Sequence, residues 1–78
     1  MNAVHIQTSR MRSAASSSQI KTEVERLPGV KSAHAFPDLA LTSVLFDPEV
    51  TDEETIRARI ARTGFGARVL VGGRLRHD

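Results

Sequence analysis

Apolar and polar residues alternate with a period of two over residues 3–8: Val4, Ile6 and Thr8 fall on one side, His5 and Gln7 on the other. That alternation predicts a half-buried strand. A polar loop over 9–13 follows, with one methionine in it. The period then changes. Ile20, Val24 and Leu27 stand at i, i+4 and i+7, which is one face of a helix over 13–27. Ser13 suits its N-cap, because a serine hydroxyl can accept a bond from an early free amide. The serines at 16–18 lower helix propensity there. Leu27-Pro28-Gly29 stops the helix, since proline cannot continue it and glycine can take positive φ.

The next stretch, 30–36, reads as a second strand with Val30, Ala33 and Ala35 inward. The change of parity between Val30 and Ala33 predicts a bend or bulge near the strand start. Pro37-Asp38 makes a turn. A third strand over 39–46 puts Thr42, Val44 and Phe46 on one face and Leu41, Ser43 and Leu45 on the other. Asp47-Pro48 breaks it. Thr51 with Glu54 spells the capping box of a second helix over 52–63. Acidic residues open that helix and Arg57, Arg59 and Arg62 lie toward its end, which complements the helix dipole. Ile56 and Ile60 mark its buried stripe. Gly64-Phe65-Gly66 leads into a last strand over 67–71, and 72–78 reads as a flexible tail or linker.

Strand, helix, strand, strand, helix, strand is the split βαβ order. The fold class expected is α+β: a ferredoxin-like βαββαβ sandwich, with a four-stranded antiparallel sheet and two helices on one face. The chain has 78 residues, enough for one domain, here 1–71, and too few for a deep catalytic pocket as well.

Composition narrows the function classes. The formal charge is only +2, from eleven basic and nine acidic residues, and there are three Phe with no Trp or Tyr. The arginines are scattered and no aromatic lies among them, so no nucleic-acid surface is expected. No apolar run approaches the ~20 residues of a membrane span, and the N-terminus lacks a secretory pattern. The segment is expected to be cytoplasmic, or a cytoplasmic domain of a membrane protein. No carboxylate pair, nucleophile–base pair or phosphate loop is visible, so no enzyme is expected in this segment. With no cysteine in the chain, neither a disulfide nor a thiolate metal site exists as written.

Local motifs add a resemblance. Met11-Arg12-Ser13-Ala14-Ala15-Ser16 resembles the Met-x-Cys-x-x-Cys loop of the heavy-metal-associated domains. The distance from there to Leu27-Pro28-Gly29-Val30 fits without a gap. Asp47-Pro48 and Gly64-Phe65 are similar to the family's junctions after the third strand and before the last. The resemblance spans residues 3–70. It implies a copper chaperone, or the N-terminal domain of a heavy-metal P-type ATPase, with Cu(I) or a similar soft metal carried on two loop cysteines. It also implies a protein partner of that kind, a metal ATPase or a chaperone.

Ser13 and Ser16 occupy both cysteine positions, and Arg10 stands where the family has glycine. A thiolate is a soft anion that suits Cu(I) and Zn(II). A serine hydroxyl is neutral, hard and weak. No cofactor or metal is therefore expected as written; Cu(I) or a similar soft metal is expected only if both serines are cysteine in the native protein. Two histories account for them: an engineered pair of Cys→Ser changes, or natural loss of the site. Arg10 and the lack of any other cysteine favour the second. The alternative function is a metal-free interaction or regulatory domain.

Around the loop, Met11 is expected to plug the core rather than to ligate. Arg12 and Phe65 neighbour the site, Phe65 as a shield or simply as a core aromatic. Arg10 and Arg12 beside the helix start could hold an anion. His5, His34 and His77 show no ligand spacing. Leu39, Leu41 and Leu45 are expected on or near the sheet face away from the helices, a candidate partner surface.

Overall fold

The structure, a computed structural model, describes residues 1–11 and 13–70. The element order is β1 (Asn2–Ser9), α1 (Ala14–Glu25), β2 (Val30–Phe36), a short 3-10 turn (Pro37–Leu39), β3 (Leu41–Phe46), α2 (Glu53–Arg62) and β4 (Gly66–Val69). The four strands form one antiparallel sheet in the order β2-β3-β1-β4. This is the expected ferredoxin-like sandwich.

The inward row of each strand and one stripe of each helix make a single core. Val4 and Ile6 of β1, Ala33 of β2, Val44 and Phe46 of β3, Ile20 and Val24 of α1, and Ile56 and Ile60 of α2 are all buried in it. Both helices therefore cover the same sheet face. Two threonines are also fully buried there. Thr8 Oγ1 and Thr42 Oγ1 lie 2.9 Å apart, and Thr8 Oγ1 also donates to the Ile6 carbonyl at 3.1 Å. Hydroxyls paired in this way avoid the cost of an unsatisfied buried group.

The bulge expected in β2 is present: Val30 pairs with Phe46 but Ser32 with Leu45, so the register shifts across Lys31. The Leu-Pro-Gly stop works as expected, with Gly29 at φ +91°. The helix itself ends earlier than 27, with Arg26 as C-cap. Leu27 is still buried and its amide bonds the Val24 carbonyl at 3.0 Å.

Three expectations need correction. The third strand starts at Leu41 rather than 39. Pro37 opens a 3-10 turn that carries Leu39 out into solvent and closes at Ala40, which takes φ +50°. Leu39 therefore lies in that turn and off the sheet face. The N-cap of α2 is Asp52, not Thr51: the Asp52 carboxylate accepts the Thr55 amide at 2.8 Å. A charged acceptor one residue nearer the helix makes the stronger cap bond. That bond holds the Asp52 carboxyl below its ordinary range. It leaves the Thr51 hydroxyl buried with no partner among the described residues. The last strand begins at Gly66 and ends at Val69. Its expected end at Val71, and the tail over 72–78, lie outside the described residues.

Each edge strand is met by a helix side chain. At the β2 edge, Glu25 of α1 accepts the Ala33 amide at 3.0 Å and Lys21 donates to the Ala33 carbonyl at 3.1 Å; the two side chains pair at 2.6 Å. The Lys21 ammonium and then the Ala33 amide hold the Glu25 carboxyl below its ordinary range. At the β4 edge, Arg57 of α2 reaches the Ala67 carbonyl at 3.5 Å. Groups that occupy free backbone positions in this way blunt an edge against pairing with another chain. Glu23 of α1 and Arg59 of α2 join the two helices at 3.4 Å.

Candidate functional site

The loop between β1 and α1 is set by three residues. Arg10 turns the chain with φ +69°, in the left-handed region. Met11 then drops into the core and is only 6% exposed. Ser13 returns to extended backbone, φ −146° and ψ 168°, and caps α1: its Oγ accepts the Ser16 amide at 3.2 Å. Ser17 is tied to the same residue, through its amide and its hydroxyl, both donating to the Ser13 carbonyl.

The two serines come together. Ser13 Oγ and Ser16 Oγ lie 3.3 Å apart, Ser13 exposed and Ser16 half-buried. Phe65 follows Gly64, which takes φ +99° just after the end of α2. Phe65 is half-buried against the same core cluster that includes Met11. Arg12 lies outside the described residues. The 37–40 turn approaches the end of β1 through the Thr8 amide, which donates to the Ala40 carbonyl at 2.8 Å.

The chemistry offered at this loop is neutral or positive. No acidic residue stands in the first turn of α1, and residues 9–19 hold no carboxylate at all. Two neutral hydroxyls, one of them engaged as a helix cap, do not fit a soft cation. Among the described residues, no group of three or more His, Asp or Glu side chains converges elsewhere to replace them.

Solved structures supply the comparison. The domains it resembles are heavy-metal-associated domains. A copper-binding domain from HMA7, a P-type ATPase, superposes with a TM-score of 0.87 at 28% identity, covering 90% of this chain and 95% of that one. The N-terminal domain of PacS from Synechocystis gives a TM-score of 0.75 at 28% identity, with 90% and 98% covered. The yeast copper transporter domain CCC2A gives 0.82 at 26% identity, with 90% and 96% covered. No protein-family model matches the sequence, and no curated protein matches it either.

One arrangement on the opposite face was not legible from spacing along the chain. His5 and His34 lie on the face without helices, as expected, but pairing also sets them in one row. Ser43 of β3 is the register partner of both, and His5 Nδ1 lies 2.7 Å from Ser43 Oγ. The signal was available in the inward residues. Aligning Val4 with Val44 and Ala33 with Val44 fixes both registers at once.

No helix among the described residues is long and apolar enough to cross a membrane.

Proposed function

We propose that this chain is a heavy-metal-associated domain of a copper or similar soft-metal trafficking lineage, in which serine stands at both donor positions and tight metal binding has been lost. The observation that carries the reading is the pairing of Ser13 and Ser16. Their oxygens lie 3.3 Å apart at the start of α1. Two sulfurs on one ion, each at about 2.3 Å, stand at most ~4.6 Å apart. The pair lies within that span, so two sulfur donors at these positions would reach one ion, which supports the reading. The likeness to copper-binding domains at 26–28% identity supports the lineage.

With cysteine at both positions, an ion would pass between docked modules by exchange of thiolates. With hydroxyls it is not gripped, and Arg10 adds unfavourable positive charge. The domain then serves its own metal ATPase, or a partner chaperone, by docking and not by carrying an ion. It is not catalytic, and its place is on the cytoplasmic side.

The test is a Cu(I) titration against a competing chelator under reducing conditions. The native chain is expected to leave Cu(I) with the chelator. Ser13→Cys combined with Ser16→Cys is expected to take up one Cu(I) per chain. A double variant that folds but binds nothing removes the lineage. Tight Cu(I) or Zn(II) binding at the loop of the native chain removes the claim that the site is lost.

A further inference from the structure

The row His5–Ser43–His34 crosses three adjacent strands on the sheet face that the helices leave open. We propose that it is a metal site of its own, for a borderline divalent ion that favours imidazole, such as Cu(II), Ni(II) or Zn(II). It is separate from the loop at Met11–Ser16 and does not rest on the reading of that loop.

Three observations support it. The first is placement. Both histidines are exposed and share one partner residue, so their side chains leave the sheet on the same side with only a serine between them. Strands lie about 4.8 Å apart, which puts the two histidine backbones roughly 9.6 Å apart. An imidazole nitrogen bonds such an ion at about 2.0–2.1 Å, so each ring need lean over the middle strand by only roughly 3 Å.

The second is orientation. His5 already leans that way, with Nδ1 at 2.7 Å from Ser43 Oγ. The two ring nitrogens bond in nearly opposite directions, so the one that faces the gap over Ser43 is Nδ1 itself; it offers its lone pair there when the ring proton is on Nε2 and Ser43 Oγ donates to it. Ser43 donates to Nδ1 when no ion is there and can turn its hydroxyl aside, which leaves a small gap between the two rings in which an ion can sit.

The third is the surroundings. The Phe36 ring stands 6.5 Å from the His34 ring, centroid to centroid, and gives the row an apolar wall. The cation on the same face, Arg68, is engaged with Gln7 Oε1 at 2.8 Å in the neighbouring row. Two protein nitrogens leave the remaining coordination positions to water, so the ion would be exchangeable. Imidazole donors choose Cu(II), Ni(II) and Zn(II) over harder ions, whereas the loop, with cysteines, would choose Cu(I).

The experiment uses the full chain with its serines intact. Zn(II) or Ni(II) is titrated by calorimetry, and Cu(II) broadening of amide signals maps the position by NMR. One ion per chain is expected, with the first and strongest broadening at residues 5, 34 and 43. His5→Ala and His34→Ala are each expected to weaken binding about tenfold or more, whereas Ser43→Ala, which removes only the hydroxyl that competes for Nδ1, should keep it. His77→Ala, which changes the histidine outside the described residues, is the control and should leave binding unchanged. Thermal melts of the metal-free variants show that they fold. The proposal is overturned if His5→Ala or His34→Ala binds as the native chain does, or if binding does not saturate. Broadening centred on the loop or on His77, or one ion held between two chains, also overturns it.

Discussion

Arg10 is a residue at which the backbone and the side chain disagree. Its φ of +69° lies in the left-handed region, which costs a residue with a Cβ about 1–2 kcal/mol. Glycine escapes that cost, although it gives up more chain entropy on folding, about 0.5–1 kcal/mol. The difference predicts that Arg10→Gly stabilises the domain by about 0.5–1 kcal/mol. For a domain of this size that is about 2–8 °C in Tm. Arg10 is exposed and makes no hydrogen bond or ion pair among the described residues. Arg10→Ala, which removes the guanidinium but keeps the Cβ, should therefore leave stability within about 0.5 kcal/mol of native. Urea melts of the three proteins at equal m values make the comparison. If the glycine variant is no more stable than the alanine variant, the turn is unstrained. The argument that position 10 carries backbone strain then fails.

Two further outcomes follow from the α2 cap and the β2 edge. Thr51→Val replaces a buried hydroxyl that has no partner among the described residues by a methyl of the same shape, and should stabilise by up to about 1 kcal/mol in denaturant melts; a loss would restore Thr51 as the cap. Glu25 and Asp52 have carboxyls held below their ordinary values of 4.5 and 3.8 by hydrogen bonds made in the folded chain. Their contribution is full above those values and is lost as pH falls through the lowered ones. Glu25→Gln with Asp52→Asn should therefore flatten the acid side of a Tm-against-pH profile, and an unchanged profile would refute the assignment.

Most of the architecture was legible because two periods carry it. Alternation placed Val4, Ile6, Thr42, Val44 and Phe46 inward, and the i, i+4 spacing placed Ile20, Val24, Ile56 and Ile60 against them. Even the bulge in β2 was visible, as a change of parity between Val30 and Ala33. The failures were local competitions between neighbours of similar chemistry. Thr51 and Asp52 are both good caps, and a sequence pattern does not say which of two adjacent acceptors faces the free amides. Leu39 looked like strand because it is apolar, but Pro37 had already committed the backbone to a tight turn. Of the candidate site, the pairing of Ser13 with Ser16 is ordinary helix geometry and could be read from their spacing. The histidine row could not be read from spacing along the chain, because it requires aligning the inward rows of strands distant in sequence.

Serine at position 13 serves α1 as a cap, and one atom there has room for only one such use. A donor at the start of α1 can grip an ion or accept the free amides of the first turn. Ser13 Oγ does the second, taking the Ser16 amide at 3.2 Å. Serine is among the best N-caps, and losing such a cap costs typically about 1 kcal/mol. A thiol sulfur is a weak acceptor. Placing cysteine at 13 and 16 should therefore lower stability by about 1 kcal/mol while the chain is metal-free. Binding to the folded state reverses the sign: ligand at a hundredfold above its Kd adds about 2.7 kcal/mol. The double variant should melt below the native chain without Cu(I) and above it with Cu(I), while the native melt stays unchanged by the ion. Metal-free melts that coincide would mean that Ser13 contributes nothing as a cap, and helix stability would not then explain why a hydroxyl is kept where a sulfur is absent.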